Sequence, residues 1–117
     1  MDLKEITKFQ REFDEKHGWN WANSSEKEKL EHLQYGTIAL TGEVGEFANL
    51  VKKILREFNS TGKLPGKDMY EKLKEELTDV FIYLLKLADQ ALEMDIEKEY
   101  FKKMKFNEVK FKRFEVV

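Results

Sequence analysis

Apolar residues recur every three or four positions along most of the chain, which is the spacing of an amphipathic α-helix. The pattern predicts helices over roughly 2–17, 25–58, 69–92 and 96–112. One proline and six glycines leave little turn-forming sequence for a β fold. A chain of 117 residues is long enough for one core. We therefore predict one all-α domain over 1–117, a four-helix bundle-like fold with a long second helix.

Short polar segments predict where these helices begin and end. Ser25 followed by Glu28 matches a capping box at the start of the second helix. Asp2 and Asp68 are expected to cap the first and third helices, and Gly18 is expected to end the first. The segment 59–67 is the one clear loop, with a lid or a subunit contact as its alternative roles.

Three glycines, Gly36, Gly42 and Gly45, fall inside the predicted second helix. Each costs about 1 kcal/mol there relative to alanine, so a helix that keeps them usually needs a close neighbour. Because Gly42 and Gly45 flank Glu43, we expect a neighbouring helix or a ligand to approach at that point.

The charge of the chain argues against several classes of protein. The net charge is −2, and although 98–117 holds seven basic residues against three acidic ones, the chain has no overall basic excess. Nucleic acid is therefore not an expected partner. There is no cysteine for a thiolate metal site, and we find no apolar run of membrane-spanning length and no signal-peptide pattern. A cytoplasmic protein without a membrane partner is expected.

Two stretches, 40–55 and 73–88, resemble each other after a shift of thirty-three positions. The shift aligns Leu40 with Leu73, Glu43 with Glu76, Glu46 with Asp79, and Lys53 with Lys86. At 100° per residue, each helix carries its acidic pair on one flank of an apolar stripe. The stripe of the second helix is predicted to run through Leu40, Val44, Phe47, Val51, Ile54 and Phe58, and that of the third through Leu73, Leu77, Val80, Leu84, Leu87 and Ala91.

The four carboxylates allow two interpretations, a solvated surface or a metal site. Solvated acids on a helix usually have basic residues three or four positions away, but here the i+4 positions are apolar or aromatic and only Glu76 has a basic neighbour, Lys72. Carboxylates near a core are costly without countercharge, and oxygen ligands suit Mg²⁺ or Mn²⁺. The two histidines, His17 and His32, lack the Glu-x-x-His spacing of a di-iron bundle. Spacing alone leaves both interpretations open.

The sequences of these segments resemble those of the all-α nucleoside triphosphate pyrophosphatases, the MazG-like group. Glu43-x-x-Glu46 and Glu76-x-x-Asp79 are similar to the family's ExxE and ExxD motifs, within "ALTGEVGEFANLVKKI" and "KEELTDVFIYLLKLA". Lys103, Asn107 and Lys110 are similar to the basic ending of the family's last helix. The resemblance runs from about Tyr35 to Phe111, in three segments that agree in order.

This resemblance implies Mg²⁺-dependent hydrolysis of a nucleoside triphosphate between the α and β phosphates, giving a nucleoside monophosphate and pyrophosphate. It implies a metal site at Glu43, Glu46, Glu76 and Asp79, with Mn²⁺ as a substitute, and water activation by Glu46 or Glu43. Lys53, whose position on the second helix lies close to the Glu46 flank, and Lys103, Asn107 and Lys110 are the expected substrate-binding residues. A homodimer or homotetramer is also implied.

Some relatives place a His and an Asn before the first acidic pair, where this chain has Tyr35 and Gly36, so the sequence leaves the preferred base undefined. Trp19 and Trp21 are expected to pack under a loop or at a subunit contact, with stacking on a substrate base as the alternative. The alternative to an enzyme is a non-enzymatic helical oligomer that acts as an interaction module through its acidic flank.

Overall fold

The computed structural model describes residues 2–117, which form α-helices and helical turns with no strand. The four α-helices are α1 (Leu3–Lys16), α2 (Glu26–Thr61), α3 (Lys67–Lys86) and α4 (Ile96–Lys110). A π-helical turn, Leu87–Ala91, continues α3, and a 3₁₀ turn, Lys112–Phe114, follows α4. The predicted all-α fold with a long second helix is confirmed.

The start of α2 and both ends of α1 follow the local signals in the sequence. At α2 the hydroxyl of Ser25 accepts a hydrogen bond from the Glu28 amide at 3.2 Å, and the Glu28 carboxylate accepts one from the Ser25 amide at 3.0 Å. Asp2 caps α1 by accepting from the Glu5 amide at 2.9 Å. Gly18, with φ +71°, takes the left-handed conformation that ends the helix. The predicted capping box and the predicted end of α1 are both correct.

The connection between α2 and α3 is shorter than predicted. Residues 59–61 continue α2, which ends at Gly62, where φ is +74° and the amide donates to the Phe58 carbonyl at 2.7 Å. The cap of α3 is Gly66, so the prediction that Asp68 caps this helix is wrong. Asp68 lies instead in the first turn of α3, where a negative charge favours the helix dipole. With a loop of only 62–66, α2 and α3 turn back and pack side by side.

The buried core lies at one end of this helix pair. Trp21, from the connector after α1, packs against Leu87 and Ala91 of the π-helical turn. A Cβ atom at Gly36 would lie 2.6 Å from Leu87 Cδ2 and 2.9 Å from Trp21 Cη2, so glycine is required there. Apart from the adjacent backbone of α2, no atom of residues 2–117 would come within 4 Å of a Cβ at Gly42 or Gly45. The predicted close approach occurs at Gly36 instead, because the connector crosses α2 there.

The predicted apolar stripes are only partly covered. Side chains that are at least 40% exposed include Val44, Phe58, Leu77 and Leu84. Leu50, from the acidic flank, is buried as well. The contact between α2 and α3 therefore extends from the stripe to the flank that carries the acids.

The C-terminal part of the chain, α4 and the turn that follows it, is largely exposed. No residue of α4 is buried, and its aromatic side chains Phe101 and Phe106 are each 57% exposed. The radius of gyration is 18.2 Å, whereas a compact chain of this length would have about 13 Å. Within residues 2–117, no helix combines the length and hydropathy that a bilayer-spanning segment needs.

Candidate metal centre

Three of the four predicted carboxylates lie together where α2 and α3 pack side by side. One carboxylate oxygen from each of Glu43, Glu46 and Glu76 lies within 4.8 Å of the others. Glu43 and Glu46 stand on the same flank of α2 because they are separated by three residues, and α3 brings Glu76 against them. We call these three residues the acidic cluster.

Asp79, the fourth predicted carboxylate, is outside this group of three but acts on it. Its negative charge contributes to raising the pKa of both Glu43 and Glu76. Asp79 is partly buried and lies one turn beyond Glu76 on α3. The structure therefore places Asp79 beside the acidic cluster, within range of its charges.

Two oxygens of the acidic cluster have no partner. Glu43 Oε2 and Glu76 Oε2 are covered from solvent and form no hydrogen bond within residues 2–117, although each side chain as a whole remains partly exposed. A covered polar atom without a partner is destabilising, so a hydrogen-bond donor or a cation at these two oxygens would stabilise the site.

The raised pKa values of Glu43 and Glu76 also indicate negative charge that is not compensated. Burial raises the pKa of Glu43, and the charges of Glu46, Asp79 and Glu76 raise it further. Burial also raises the pKa of Glu76, followed by the charges of Glu46 and Asp79, while Lys72 opposes the increase. The negative charges are thus close enough to repel one another, and a divalent cation would relieve that repulsion.

A cleft of about 190 Å³ opens beside the acidic cluster. It is lined by Glu46, Asn49, Leu50, Lys53, Lys72 and Glu76. Lys53 and Glu46 line this cleft together, and substrate binding by Lys53 stays a prediction. Asn49 and Lys72 were not predicted as site residues, although each stands one helical turn from an acid of the cluster, Asn49 three positions after Glu46 and Lys72 four before Glu76.

The three predicted residues of α4 do not line this cleft. Lys103 Nζ lies 4.8 Å from the centroid of the Phe106 ring, and Lys110 Nζ lies 5.3 Å from that of Phe111. Asn107 donates to Met104 Sδ at 3.8 Å. Because α4 packs mainly against the turn that follows it, these side chains stay on α4 within a single chain.

A second, aromatic cavity of about 630 Å³ lies on the core side of the acidic cluster. Its lining includes Trp19, Trp21, His32, Tyr35, Tyr83 and Lys86. The rings of Trp21 and His32 are stacked, with centroids 5.2 Å apart, and Tyr35 meets Trp21 edge-on at 6.1 Å. Trp21 is a core residue, as expected, whereas Trp19 is 56% exposed at the edge of the cavity.

Tyr83 connects the aromatic cavity to the acidic cluster. It lines the cavity and stands one turn beyond Asp79 on α3. Burial raises the pKa of its hydroxyl, and Tyr35, Glu43 and Asp79 are among the groups that add to this increase. The cavity and the acidic cluster therefore share one face of the protein.

The comparisons with known proteins agree with this arrangement. Residues 32–109, which include both acidic pairs, match the MazG nucleotide pyrophosphohydrolase domain. The chain is 43% identical over 63 residues to "Gene 37 protein" of Mycobacterium phage L5. That alignment covers 54% of this chain and 53% of the phage protein, so the chain spans about half the length of this curated relative. No solved structure gives a significant match. The family match spans well over half of the sequence and confirms the resemblance, and the chain belongs to the MazG nucleotide pyrophosphohydrolase domain family.

Proposed function

We propose that this protein is a Mg²⁺-dependent nucleoside triphosphate pyrophosphohydrolase. It would cleave an NTP or dNTP between the α and β phosphates to give a nucleoside monophosphate and pyrophosphate. Membership of the family supports the class of reaction. The observation that carries the proposal is the acidic cluster, in which two covered oxygens lack any hydrogen-bond partner within residues 2–117.

The acidic cluster fits a hard divalent cation. Glu43, Glu46 and Glu76 would supply oxygen ligands, and Asp79, one helical turn beyond Glu76, would join them or hold a second ion. When bound, Mg²⁺ (or Mn²⁺ in its place) supplies countercharge for phosphate oxygens and lowers the pKa of water. The unpartnered oxygens of Glu43 and Glu76 support this assignment, because a purely structural site would satisfy them with donors from the chain.

Glu46 is the better placed of the two candidate bases. It belongs to the acidic cluster and also lines the cleft, whereas Glu43 does not reach the cleft lining. A carboxylate at this position would accept a proton from the attacking water as the α–β bond breaks. Glu43 would then serve mainly to hold the cation.

The cleft offers positive charge to the substrate phosphates. Lys53 and Lys72 stand on opposite helices at its wall, with Asn49 as a further polar group. Lysine acts as a point charge on phosphate oxygens, so this pair would hold the pyrophosphate end of the substrate beside the acidic cluster.

The aromatic cavity is the natural place for the nucleoside. Its rings offer stacking surfaces, and base–aromatic stacking contributes about 1–3 kcal/mol per base. Trp19 and Tyr35 are exposed enough to receive a base, at 56% and 61% of their surface. Stacking would therefore hold the base while the acidic cluster meets the phosphates.

We also propose a homodimer or homotetramer. The exposed aromatic side chains of α4 and the extended shape support an assembly in which a second copy covers these surfaces. Such an assembly would give Lys103, Asn107 and Lys110 a route to the substrate of the partner. The cytoplasmic location and the absence of a nucleic-acid partner stay predictions from the sequence.

Product analysis tests the reaction directly. The protein is incubated with a panel of NTPs and dNTPs plus Mg²⁺, and the products are separated by anion exchange. We expect a nucleoside monophosphate with pyrophosphate. Release of orthophosphate with a nucleoside diphosphate would overturn the proposed reaction. Absence of turnover with every nucleotide would favour the interaction module instead.

A further inference from the structure

Lys86 is a buried cation at the aromatic cavity that the proposed reaction does not yet use. It is only 9% exposed, yet it lines the cavity. Its Nζ lies 4.2 Å from the centroid of the Trp21 ring and 3.7 Å from Asp14 Oδ2. The second distance is longer than a hydrogen bond, and among residues 2–117 no hydrogen bond is donated by Lys86 Nζ.

Asp14, the countercharge of Lys86, has hydrogen-bond donors of its own. Asp14 Oδ2 accepts from Gln90 Nε2 at 2.7 Å, and Asp14 Oδ1 accepts from Gln10 Nε2 at 3.2 Å. Gln90 Oε1 in turn accepts from the Trp21 amide at 3.0 Å. The ammonium lies beside Asp14 and over the Trp21 ring, and it keeps N–H capacity for a molecule in the cavity.

The position of Lys86 along α3 matches the length of a nucleotide. Asp79, Tyr83 and Lys86 follow one another at intervals of four and three residues, so they share one face of the helix. Lys86 lies about 10 Å beyond Asp79 along the axis, at 1.5 Å per residue. That span is comparable to the distance from the α phosphate of a nucleotide to the far edge of its base. An α phosphate beside Asp79, at the edge of the acidic cluster, would thus bring the base edge to Lys86.

We propose that Lys86 determines base specificity, by selecting nucleotides whose base presents a keto oxygen at the edge away from the sugar. An ammonium only donates hydrogen bonds, so it selects bases through their keto oxygens, which are guanine O6 and uracil or thymine O4. It has nothing to accept from the amino group that adenine or cytosine carries at that edge. This inference rests on the proposed function.

A second group in the cavity favours the same bases. Asn20 also lines the cavity, and its Oδ1 already accepts from the Ala22 amide at 2.8 Å. The amide of Asn20 therefore presents its NH₂ group to a ligand more readily than its oxygen. Donors from Lys86 and Asn20 together suit a base edge rich in acceptors.

The test compares kcat/KM for GTP with ATP and for UTP with CTP. We expect the wild-type protein to prefer GTP and UTP by about tenfold to a hundredfold. Lys86→Met keeps the length of the side chain without its charge, so it should lower the GTP/ATP and UTP/CTP ratios of kcat/KM by that factor. Lys86→Arg should keep the preference. Lys74→Met, on an exposed face of α3, is the matched control.

Binding without turnover gives an independent measurement. Trp19 and Trp21 lie at the cavity, so their fluorescence should report the binding of GMP and AMP in the absence of metal. We expect tighter binding of GMP, and loss of that difference in Lys86→Met. This titration also separates the two proposals, because it requires no hydrolysis. If no nucleotide is hydrolysed but GMP still binds more tightly, the proposed reaction fails while the role of Lys86 stands.

Other outcomes would overturn the role of Lys86. These are equal hydrolysis of all four nucleotides by the wild-type protein, a preference for ATP or CTP, or an equal slowing of every substrate by Lys86→Met. The first two outcomes are measured on the wild-type protein alone, so they remain decisive even if Lys86→Met does not fold.

Discussion

The core end of the α2–α3 pair and the acidic cluster midway along the same helices treat their carboxylates differently. At the core end, Asp14 is only 2% exposed and accepts hydrogen bonds from Gln10 and Gln90. In the acidic cluster, Glu43 Oε2 and Glu76 Oε2 are covered but receive none from residues 2–117. One region satisfies its buried charge within the chain, and the other leaves it unsatisfied.

This difference separates a structural carboxylate from one that is reserved for a ligand. A buried acid with its own donors joins two elements, as Asp14 of α1 does with Gln90 beyond α3. Buried acids that face one another without donors destabilise the free protein, and they gain from a bound cation. Variants and conditions that act on one of the two regions test this contrast.

The largest effect is expected at Asp14. Asp14→Ala would leave the Lys86 ammonium buried without countercharge and Gln90 without its acceptor. Removing one member of a buried charged pair costs about 3–5 kcal/mol, so the free energy of unfolding in urea should fall by that amount. Glu15→Ala, at the exposed neighbouring position, should change it by no more than about 0.5 kcal/mol. A loss below 1 kcal/mol for Asp14→Ala would show that the core end does not depend on this network.

The next effect concerns activity at the acidic cluster. Glu76→Gln should lower kcat/KM for pyrophosphate release by about 10²–10³-fold, which is the typical loss when one group that stabilises the transition state is removed. Glu75→Gln is the matched control, because it changes the adjacent exposed acid, which lies outside the cluster. Circular dichroism should show intact helices in both variants. Near-normal activity in Glu76→Gln would remove Glu76 from the site.

Substitution of two glycines of α2 by alanine tests how tightly the helix is packed at each position. Gly36→Ala places a methyl group against Leu87 and Trp21, and such overpacking typically costs about 1–3 kcal/mol. Gly42→Ala meets no described atom, so the better helix propensity of alanine should stabilise α2 by up to about 1 kcal/mol. Thermal unfolding of both variants measures the difference. Equal effects on stability at the two positions would contradict tight packing around Gly36 and open space around Gly42.

The pH dependence of the metal-free protein is the smallest expected effect. The pKa values of Glu43 and Glu76 are raised above their ordinary value of 4.5, so the folded state binds these protons more tightly than the unfolded chain. Their stabilising contribution is present below pH 4.5 and is lost as the pH rises through the raised values. Urea unfolding in EDTA should show this loss. The double variant Glu43→Gln/Glu76→Gln should lack it, and Mg²⁺ should offset it in the wild-type protein. A contribution that grows with pH would contradict the clustering of these acids.

Local features of the fold could be predicted from the sequence because they depend on residues a few positions apart. The capping box of Ser25 and Glu28 spans three residues, and the left-handed Gly18 follows from the rarity of that conformation in other residues. The pairing of Glu43 with Glu46 on one flank follows from 3.6 residues per turn. For the same reason the sequence was sufficient to recognise the acidic pairs and, through them, the family.

The predictions were less accurate where the position of another helix matters. Helical periodicity gives the direction of a side chain around its own axis but not the place of the neighbouring helix. This is why Leu50 is buried where Val44 was expected, and why α4 carries Lys103 away from the cleft. The wrong cap at Asp68 has a local cause, because Gly66 already begins α3.

The set of helices, most of their ends and the acidic flanks could be predicted from the sequence, because they follow from local backbone hydrogen bonds and helical spacing. Which carboxylates meet depends on the tertiary packing. That packing brings Glu76 to Glu43 and Glu46, leaves Asp79 at the edge of that group, and pairs Lys86 with Asp14, which is 72 positions away in the sequence. Contacts at such separations depend on how whole helices pack, and periodicity within one helix carries no information about that packing.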